Sequence, residues 1–457
     1  VRVESTGIEY RISSERRGQF EVVNDEPKPS GEERTPRAAR RIVVRDKAAA
    51  RKARRVIESL RIGLPSLDGS TRRLAVGFSE IQRLIGRFLR DINNDGGGAL
   101  IIKGAYGQGK TFALSMLEEI AHESGFVTVR TEIDAADNQL SKPQHIYRNF
   151  MRTLRLPEED GEGGARSLVV RVCDVLSRQG KKTAHERMQW LEEHIGCFPI
   201  SWLLSDPAIL SKPSLLGVFA GDPNFPVRQA REHHAIPPPK KGRQWAVFRY
   251  GTQGDFGSFV LSGLGRLVRL IGYRGMLIVF DEMEKWFALD WREQSRAGNL
   301  VGGLIWGATA DEGRRTCHGI PGNTSAVPWF CKCDHCDDLK HSNWCGGYPF
   351  TTTRKSYVGV AIAMTPRGQD DPECLWSKYG PILVGEVPVL TESGLMRYCE
   401  RIMPVVAEAY GLSPPTKDEL KEIVSEAIRT WRMQGDMTTR SGVQSAIAAF
   451  DNWRDWA

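Results

Sequence analysis

Eight consecutive residues combine glycines with a lysine and a threonine in a spacing that suits phosphate. They are Gly104-Ala105-Tyr106-Gly107-Gln108-Gly109-Lys110-Thr111. The glycines allow successive backbone N–H groups to point at one phosphate chain, the lysine ammonium reaches the terminal phosphates, and the threonine hydroxyl binds Mg²⁺. The alternative interpretation is a surface glycine turn, so the neighbouring residues decide between the two.

Both flanks of this loop favour phosphate binding. Leu100-Ile101-Ile102 is a short apolar run, which is typical of a buried parallel strand. After the loop, apolar residues recur at helical spacing until Gly125 ends the predicted helix. A strand, a glycine loop and a helix place phosphate at a helix N-terminus. We therefore predict a nucleotide site formed by residues 104–111 together with Phe112.

A second apolar run ends in two carboxylates. Met276-Leu277-Ile278-Val279-Phe280 is followed at once by Asp281 and Glu282. In a doubly wound sheet, ligands bind at the carboxyl ends of the strands. We predict that Asp281 orients Mg²⁺ through water and that Glu282 polarises the attacking water, while Lys110 binds phosphate. The alternative is a strand that ends in a solvated acidic turn.

Two further strands complete the predicted core. Residues 357–364 are apolar and end before Thr365, whose hydroxyl either touches the γ-phosphate or the catalytic water, or only caps a turn. Residues 127–134 form the other strand. Strands that alternate with helical stretches predict an α/β fold with a parallel sheet.

Size and composition limit the class of protein. A chain of 457 residues is long enough for about two or three domains, and 40% hydrophobic with 26% charged residues is typical of a soluble globular protein. No apolar run approaches the roughly 20 residues that span a bilayer, and no secretory leader is visible. These features favour a cytoplasmic protein without a membrane partner, in which nine cysteines are expected to be thiols or metal ligands.

Positive charge is concentrated near the start of the chain. The formal net charge is +7, and residues 34–61 hold eleven lysines and arginines against two acidic residues. Much of this stretch is rich in alanine and predicts a basic helix, which could contact DNA or RNA. The alternatives are a solvated helix and a site for an acidic protein. The candidate nucleic-acid contacts are Arg40, Arg41, Arg51, Lys52, Arg54 and Arg55.

Breaks in the pattern divide the chain into eight segments. A helical lid is predicted after Pro388 from apolar helical spacing and from a capping box formed by Thr416 and Glu419. Arg440, at the predicted start of the last lid helix, either reaches the nucleotide or is an exposed arginine. The segments are a flexible leader (1–35), a basic helical segment (36–95), the first half of the core (96–150), a helical insert (151–250), the core with the acidic strand (251–310), a cysteine-rich insert (311–350), the core strand before Thr365 (351–387) and the helical lid (388–457).

Five of the nine cysteines fall between positions 317 and 345. Cys333 and Cys336 have the two-residue spacing that lets two thiolates bind one Zn²⁺. The stretch is rich in Gly, Pro, Asn and Ser, so a bound metal would supply folding energy that a core does not. We predict a structural zinc site rather than reduced free thiols or a redox pair. The predicted ligands are Cys317, Cys333, Cys336 and Cys345, with Cys331 or His341 as a substitute for one of them.

Several segments resemble the BREX-system ATP-binding proteins, which are AAA+-like P-loop ATPases of bacterial defence against phage. The likeness covers residues 50–155, 265–300 and 355–457, and leaves out the cysteine-rich stretch and the long helical insert. The segments that carry it are Glu58 to Pro65, Ala75-Val76-Gly77, Lys103 to Thr111, Phe126 to Asp134, Ser141 to Arg148 and Leu277 to Glu282.

This resemblance implies an origin-recognition-like ATPase core with a helical lid, which works with DNA-modifying or helicase partners. It implies nucleotide roles for Lys110, Thr111, Asp281 and Glu282, and a sensor role for Thr365. No arginine finger follows from it. Arg296, Arg314 and Arg315 are candidates only because they follow the acidic strand.

Three functions fit these expectations. The first is an ATPase, dependent on Mg²⁺, that remodels or loads a DNA-associated defence complex with partner proteins. The second is a nucleotide-gated switch or assembly scaffold with slow hydrolysis, and the third is a DNA-binding adaptor that uses the basic helix and the zinc loop. The presence of both Lys110 and Glu282 favours hydrolysis. Assembly as a homo-oligomer is left open.

Overall fold

A parallel β-sheet forms the centre of the computed structural model, which describes residues 10–12, 20–22, 46–65, 71–134, 139–159, 163–237, 254, 256–309, 355–366 and 376–456. Within these ranges the sheet strands are β3 (Gly97–Lys103), β4 (Val127–Glu132), β5 (Met276–Asp281), β6 (Val358–Met364) and β7 (Leu383–Glu386). Their order is β4-β5-β6-β3-β7 and every pairing is parallel. The predicted α/β class with a parallel sheet is confirmed. A separate antiparallel pair consists of β1 (Tyr10–Ile12) and β2 (Phe20–Val22).

The strand ends differ from the prediction at particular residues. β4 ends at Glu132 instead of at Asp134. β6 begins at Val358 because Tyr357 has a left-handed backbone, with a φ of 56°, which interrupts the extended conformation. β7 was not predicted, because its four residues form no apolar run and are at least partly exposed.

The register of the sheet brings the carboxyl ends of its strands to one edge. Lys103 of β3 pairs with Met364 of β6 and with Glu386 of β7, and Glu132 of β4 pairs with Asp281 of β5. The chain segments that follow these strands therefore begin next to one another, as expected for parallel strands.

Helices cover both faces of the sheet. Successive side chains of each strand point to opposite faces, and each face packs into its own apolar core. The helices around the sheet are α2 (Thr71–Leu74), α3 (Ser79–Asp95), α4 (Lys110–Glu123), α5 (Pro143–Thr153), a π-helix (Phe256–Leu261), α11 (Ser262–Leu270) and α12 (Trp291–Thr309). Leu100 and Ile102 of β3 pack with α3 and α4, whereas Ala99 and Ile101 pack with α5, α11 and α12.

The helices that follow α5 share the core on one face of the sheet. Leu168, Leu191 and Leu203 are fully buried in the same apolar cluster as Ile278 of β5. Trp202 stacks on His234 with ring centroids 4.3 Å apart. These helices are α6 (Gly164–Arg178), α7 (Ala184–Ile195), α8 (Phe198–Ser205), α9 (Pro213–Phe219) and α10 (Val227–His233).

A helical bundle joins α1 (Lys47–Arg61) to the three C-terminal helices α13 (Glu392–Tyr410), α14 (Lys417–Met433) and α15 (Thr439–Trp456). We call these four helices the C-terminal bundle. The buried face of α1, which includes Val56, Ile57 and Leu60, shares one core with the other three helices. The predicted capping box of Thr416 and Glu419 is present at the start of α14. Within the described ranges, none of the helices has the length and apolar character needed to cross a bilayer.

Candidate nucleotide site

The loop between β3 and α4 turns at two glycines with left-handed backbones. Gly107 has a φ of 74° and Gly109 a φ of 107°, a region that glycine adopts without steric strain. Helix α4 begins immediately after Gly109, whose carbonyl accepts the Ala113 N–H at 2.9 Å. The N–H groups of the first helical turn have no acceptor within the helix, so this helix start favours an anion.

Lys110 is held between the ends of neighbouring strands. Its side chain is only 6% exposed, and Nζ donates to Thr365 Oγ1 at 2.8 Å and to the Ala105 carbonyl at 3.3 Å. Glu284 Oε1 lies 3.5 Å from the same ammonium and accepts the Thr365 hydroxyl at 2.7 Å. The threonine oxygen thus accepts from Lys110 and donates to Glu284. The structure brings Lys110 and Thr365 together across 255 positions of sequence.

Asp281 ends β5 with both carboxylate oxygens engaged. Its Oδ1 accepts the Glu282 N–H at 3.0 Å, and its Oδ2 accepts from Arg130 Nη2 at 2.7 Å. Asp281 is 4% exposed, so this carboxylate has almost no contact with solvent. Its orientation is fixed by the start of the following turn and by Arg130.

Glu282 turns the chain away from β5 in a left-handed conformation, with a φ of 59° and a ψ of 35°. Such a backbone is strained for a residue other than glycine, and this kind of strain is concentrated at functional sites. Its side chain lines the same cavity as Lys110. Burial raises the pKa of Glu282, and the negative charges of Glu284 and Asp281 raise it further. A raised pKa brings a carboxylate closer to the range in which a general base works best.

Arg130 connects Asp281 to a second buried carboxylate. Its Nη2 donates to Asp281, and its Nη1 donates to Glu118 Oε2 at 2.7 Å and to Ser115 Oγ at 3.2 Å. The Glu118 and Asp281 side chains are each 6% exposed. Burial raises the pKa of Glu118, while the guanidinium of Arg130 opposes that rise. The three residues form two linked ion pairs, which we call the Asp281–Arg130–Glu118 triad.

A cavity with an open volume of about 840 Å³, including the solvent at its mouth, lies beside the loop. Lys110, Thr111 and Glu282 supply polar groups to its wall. The remaining wall is largely apolar, which suits the flat face of a base. The apolar lining residues are Leu60, Leu64, Pro65, Leu74, Val76, Phe78, Phe112, Leu390, Tyr398 and Val443.

Arg440 contacts the loop from the C-terminal bundle. Its backbone N–H donates to the Gly107 carbonyl at 2.9 Å, and its Nη1 donates to the Tyr106 hydroxyl at 3.0 Å. The guanidinium carbon lies 5.2 Å from the centre of the Tyr106 ring, within cation–π distance. Arg440 also lines the cavity, so the arginine predicted at the start of the last helix lies at the loop.

Residues 48–193 match the family model of the BREX system ATP-binding protein BrxC/D. The match includes the loop at 104–111, and it confirms the resemblance over this third of the chain. No curated protein and no solved structure matches the chain significantly.

The BrxC/D match extends beyond the segments that carry the sequence likeness. Its range continues past residue 155 through α6 and most of α7. These helices share the core on one face of the sheet. The match therefore covers the first part of the predicted helical insert.

Several predicted residues lie outside the described ranges. They are Arg40, Arg41, Arg314 and Arg315, and the zinc candidates Cys317, Cys331, Cys333, Cys336, His341 and Cys345. Among the residues that the structure does describe, no three His, Cys, Asp or Glu side chains are placed to hold a metal ion. The described candidates for nucleic-acid contact all lie on α1, where Arg51, Lys52, Arg54 and Arg55 are exposed.

Sequence reasoning missed three charged residues of the site. Glu284 follows the acidic pair by two positions, and only the turn after β5 brings it to Lys110 and Thr365. Arg130 is a charged residue within a buried strand, which signals the need for a partner but does not name it. Glu118 lies on the buried side of α4 and completes that pairing.

Proposed function

We propose that this protein is an ATPase of a bacterial anti-phage defence system, which acts on DNA together with partner proteins. One observation carries the proposal. Lys110, Glu282 and Thr365 follow three neighbouring strands and converge at one edge of the sheet, where Lys110 and Glu282 line a common cavity. The BrxC/D match supports both ATP as the nucleotide and the defence setting.

Binding would begin at the start of α4. The N–H groups of the loop and the Lys110 ammonium would hold the phosphates, in exchange for the contacts of Lys110 with Thr365 and Glu284. Thr111 and Asp281 offer hydroxyl and carboxylate oxygens, the ligand type that Mg²⁺ prefers. The two hydrogen bonds that Asp281 accepts would hold its carboxylate in a fixed orientation toward Mg²⁺. Bound Mg²⁺ would neutralise charge on the phosphates.

Hydrolysis would depend on Glu282. Glu282 lines the same cavity as Lys110, and the raised pKa of its carboxyl group suits a group that orients a water and accepts its proton. The Thr365 hydroxyl, which accepts a hydrogen bond from Lys110, would contact the terminal phosphate or that water. The apolar wall formed by residues such as Leu64, Phe78 and Phe112 would take the base.

Replacement of Lys110 by alanine tests the nucleotide site. Because charge-assisted hydrogen bonds contribute about 1.5–3 kcal/mol, we expect Lys110→Ala to weaken ATP binding by about 10- to 100-fold. Titration calorimetry measures this change. Lys182→Ala removes an exposed lysine and should leave the affinity unchanged. Equal affinity in Lys110→Ala and the unsubstituted protein would contradict the site.

A nucleotide-gated switch is the second candidate function. It is favoured by the internal pairs that occupy the site, namely Lys110 with Glu284 and Asp281 with Arg130. Bound ATP would replace such internal pairs with contacts to its own groups. Arg440, which contacts the loop, would transmit this change to the C-terminal bundle. Single-turnover measurements separate the two functions, because a switch retains tight ATP binding with turnover too slow to measure over the time of partner assembly.

We also propose a structural Zn²⁺ in the cysteine-rich stretch, held by Cys317, Cys333, Cys336 and Cys345. Its support is the spacing of these thiols in the sequence. Purified protein is expected to contain about one zinc per chain, measured by metal analysis, and Cys333→Ser should lower that content. Cys173→Ser, which changes a cysteine elsewhere in the fold, is the matched control. A zinc content near zero in the unsubstituted protein would contradict this proposal.

A further inference from the structure

A second cleft, distinct from the nucleotide cavity, separates α1 from α4. Its open volume is about 1610 Å³, including the solvent at its mouth. We call it the α1–α4 cleft. It is lined by Ala48, Arg51, Lys52 and Arg55 of α1, by Ser115, Glu118, Glu119, His122 and Glu123 of α4, and by Thr71, Arg155, Pro157 and Glu159.

Most acidic side chains of the cleft form an ion pair or accept a backbone hydrogen bond. Glu118 pairs with Arg130 at 2.7 Å. Glu119 accepts the backbone N–H of Arg72 at 3.0 Å, and Glu123 pairs with the Arg72 guanidinium at 3.2 Å. Glu159 is the remaining carboxylate of the lining, and it makes no ion pair with a described residue.

The basic side chains of the cleft form no ion pairs with described residues. Arg51, Lys52 and Arg55 are exposed on one side of α1 and form no ion pair with a described residue. Arg155 is fixed by backbone hydrogen bonds to Thr128 at 2.9 and 3.1 Å, while its buried Nε has no hydrogen-bond partner among the described residues. The lining thus presents four cations that form no ion pair with a described residue, against two carboxylates that form none, Glu119 and Glu159. Lys52 and Arg155 lie within electrostatic range of Glu119 and Glu118, respectively.

His122 does not supply positive charge to the cleft. Burial and, to a smaller extent, the charge of Arg155 lower its pKa to about 4. Its Nε2 is hydrogen-bonded to Thr128 Oγ1 at 2.7 Å. At neutral pH this imidazole is uncharged, so the positive field of the cleft comes from Arg51, Lys52, Arg55 and Arg155.

The cleft offers charge but no stacking surface. Among the described lining residues, the His122 imidazole is the one aromatic ring, whereas proteins that bind the bases of single strands stack them on aromatic rings. Guanidinium groups pair with phosphate through two parallel hydrogen bonds. We propose that the α1–α4 cleft binds the phosphate groups of a nucleic-acid backbone or of a free polyphosphate, without contact to bases. This inference rests on the proposed function in its choice of DNA as the main probe.

The structure divides the basic residues of α1 into two sets. Arg54 turns away from the cleft, since its Nε donates to the Ala409 carbonyl at 2.6 Å and its guanidinium lies 5.9 Å from the Tyr410 ring centre. Arg54 therefore holds α1 to α13, whereas Arg51, Lys52 and Arg55 face the cleft. This division supplies a control variant on the same helix.

The test is a salt titration of DNA binding to the full chain, without nucleotide, by fluorescence anisotropy with a labelled single-stranded oligonucleotide of mixed sequence. Each phosphate contact contributes about 0.7 to the slope of log affinity against log salt. The triple variant Arg51→Gln, Lys52→Gln, Arg55→Gln should lower that slope by about 2. Arg54→Gln should keep the slope, and Lys110→Ala should keep DNA binding even where ATP binding is lost.

Competition identifies the source of the phosphate. Inorganic polyphosphate that displaces the oligonucleotide at equal phosphate concentration identifies a free polyphosphate chain, and weaker displacement identifies nucleic acid. Arg155→Gln is a second variant and should weaken binding in the same way. The proposal is overturned if the triple variant retains the slope of the unsubstituted protein, or if poly-glutamate displaces the oligonucleotide as well as polyphosphate does. The second outcome would assign the cleft to an acidic protein segment.

Discussion

Glu282→Gln is expected to lower ATP turnover by about 100-fold or more, because a positioned general base contributes on the order of 10² to 10⁴ to the rate. ATP binding should remain, since the amide keeps the size of the side chain and the Lys110 contacts lie elsewhere. Steady-state phosphate release measures turnover, and calorimetry measures binding. Retained binding with lost turnover is the result that places the chemistry at Glu282.

The pH dependence of turnover provides an independent readout of this assignment. Burial and the neighbouring charges of Glu284 and Asp281 raise the pKa of Glu282, and the base must be deprotonated to work. Turnover should therefore fall as pH decreases through this raised pKa, at a higher pH than for an ordinary glutamate. The residual turnover of Glu282→Gln should not show this decrease.

Glu284→Gln is the informative comparison for Glu282→Gln. Glu284 contacts Lys110 and Thr365, so its carboxylate is the other one close to the proposed phosphate position. If Glu284→Gln abolished turnover while Glu282→Gln did not, the role of base would belong to Glu284.

Arg130→Met is expected to destabilise the protein by about 3–5 kcal/mol at neutral pH, the usual cost of leaving a buried charge without its partner. The substitution would strand Glu118 and Asp281, each 6% exposed, without a cation. Denaturant unfolding measures the loss. The double variant Arg130→Met, Glu118→Gln should recover part of it, because one of the two uncompensated charges is gone.

The loss in Arg130→Met should depend on pH with a definite sign. Burial already raises the pKa of Glu118, and removal of Arg130 takes away a charge that lowers it. A folded-state pKa above the unfolded value means that the folded protein binds more protons, so stability decreases as pH rises through that pKa. The variant should therefore approach the unsubstituted protein in stability as pH falls.

Arg152→Met is the matched control for Arg130→Met. Arg152 is exposed on α5 and donates only to Asn149 at 3.3 Å, so its replacement should change stability by less than about 0.5 kcal/mol. A loss in Arg130→Met that is equal at pH 5 and pH 8 would mean that packing, and not charge, explains the effect.

Local sequence was sufficient to predict much of the sheet and the residues at its edge. Asp281, Glu282 and Thr365 follow apolar runs, and parallel strands end at one edge of a sheet, so their placement at that edge follows from the parallel arrangement alone. β7 was missed because its extended conformation comes from pairing with β3 and not from its own composition.

Contacts that depend on which elements are neighbours could not be predicted. Arg130 reaches Asp281 only because β4 lies beside β5, and no pattern within β4 specifies that order. The same reason applies to α1. Its alanine-rich composition predicted a helix, but its partner α13 lies over 300 positions away, so Arg54 could not be separated from Arg51 and Arg55.

The position of α1 in the C-terminal bundle has a consequence for biosynthesis. Arg54 contacts Ala409 and Arg61 contacts Asp451, across 355 and 390 positions of sequence. At the usual rates of translation, α1 leaves the ribosome on the order of tens of seconds before α13 is made. Its apolar face lacks its partner during that time, and such distant contacts form late in folding. The cavity beside the loop, which α1 and the later helices line together, is therefore completed only when synthesis has passed α15.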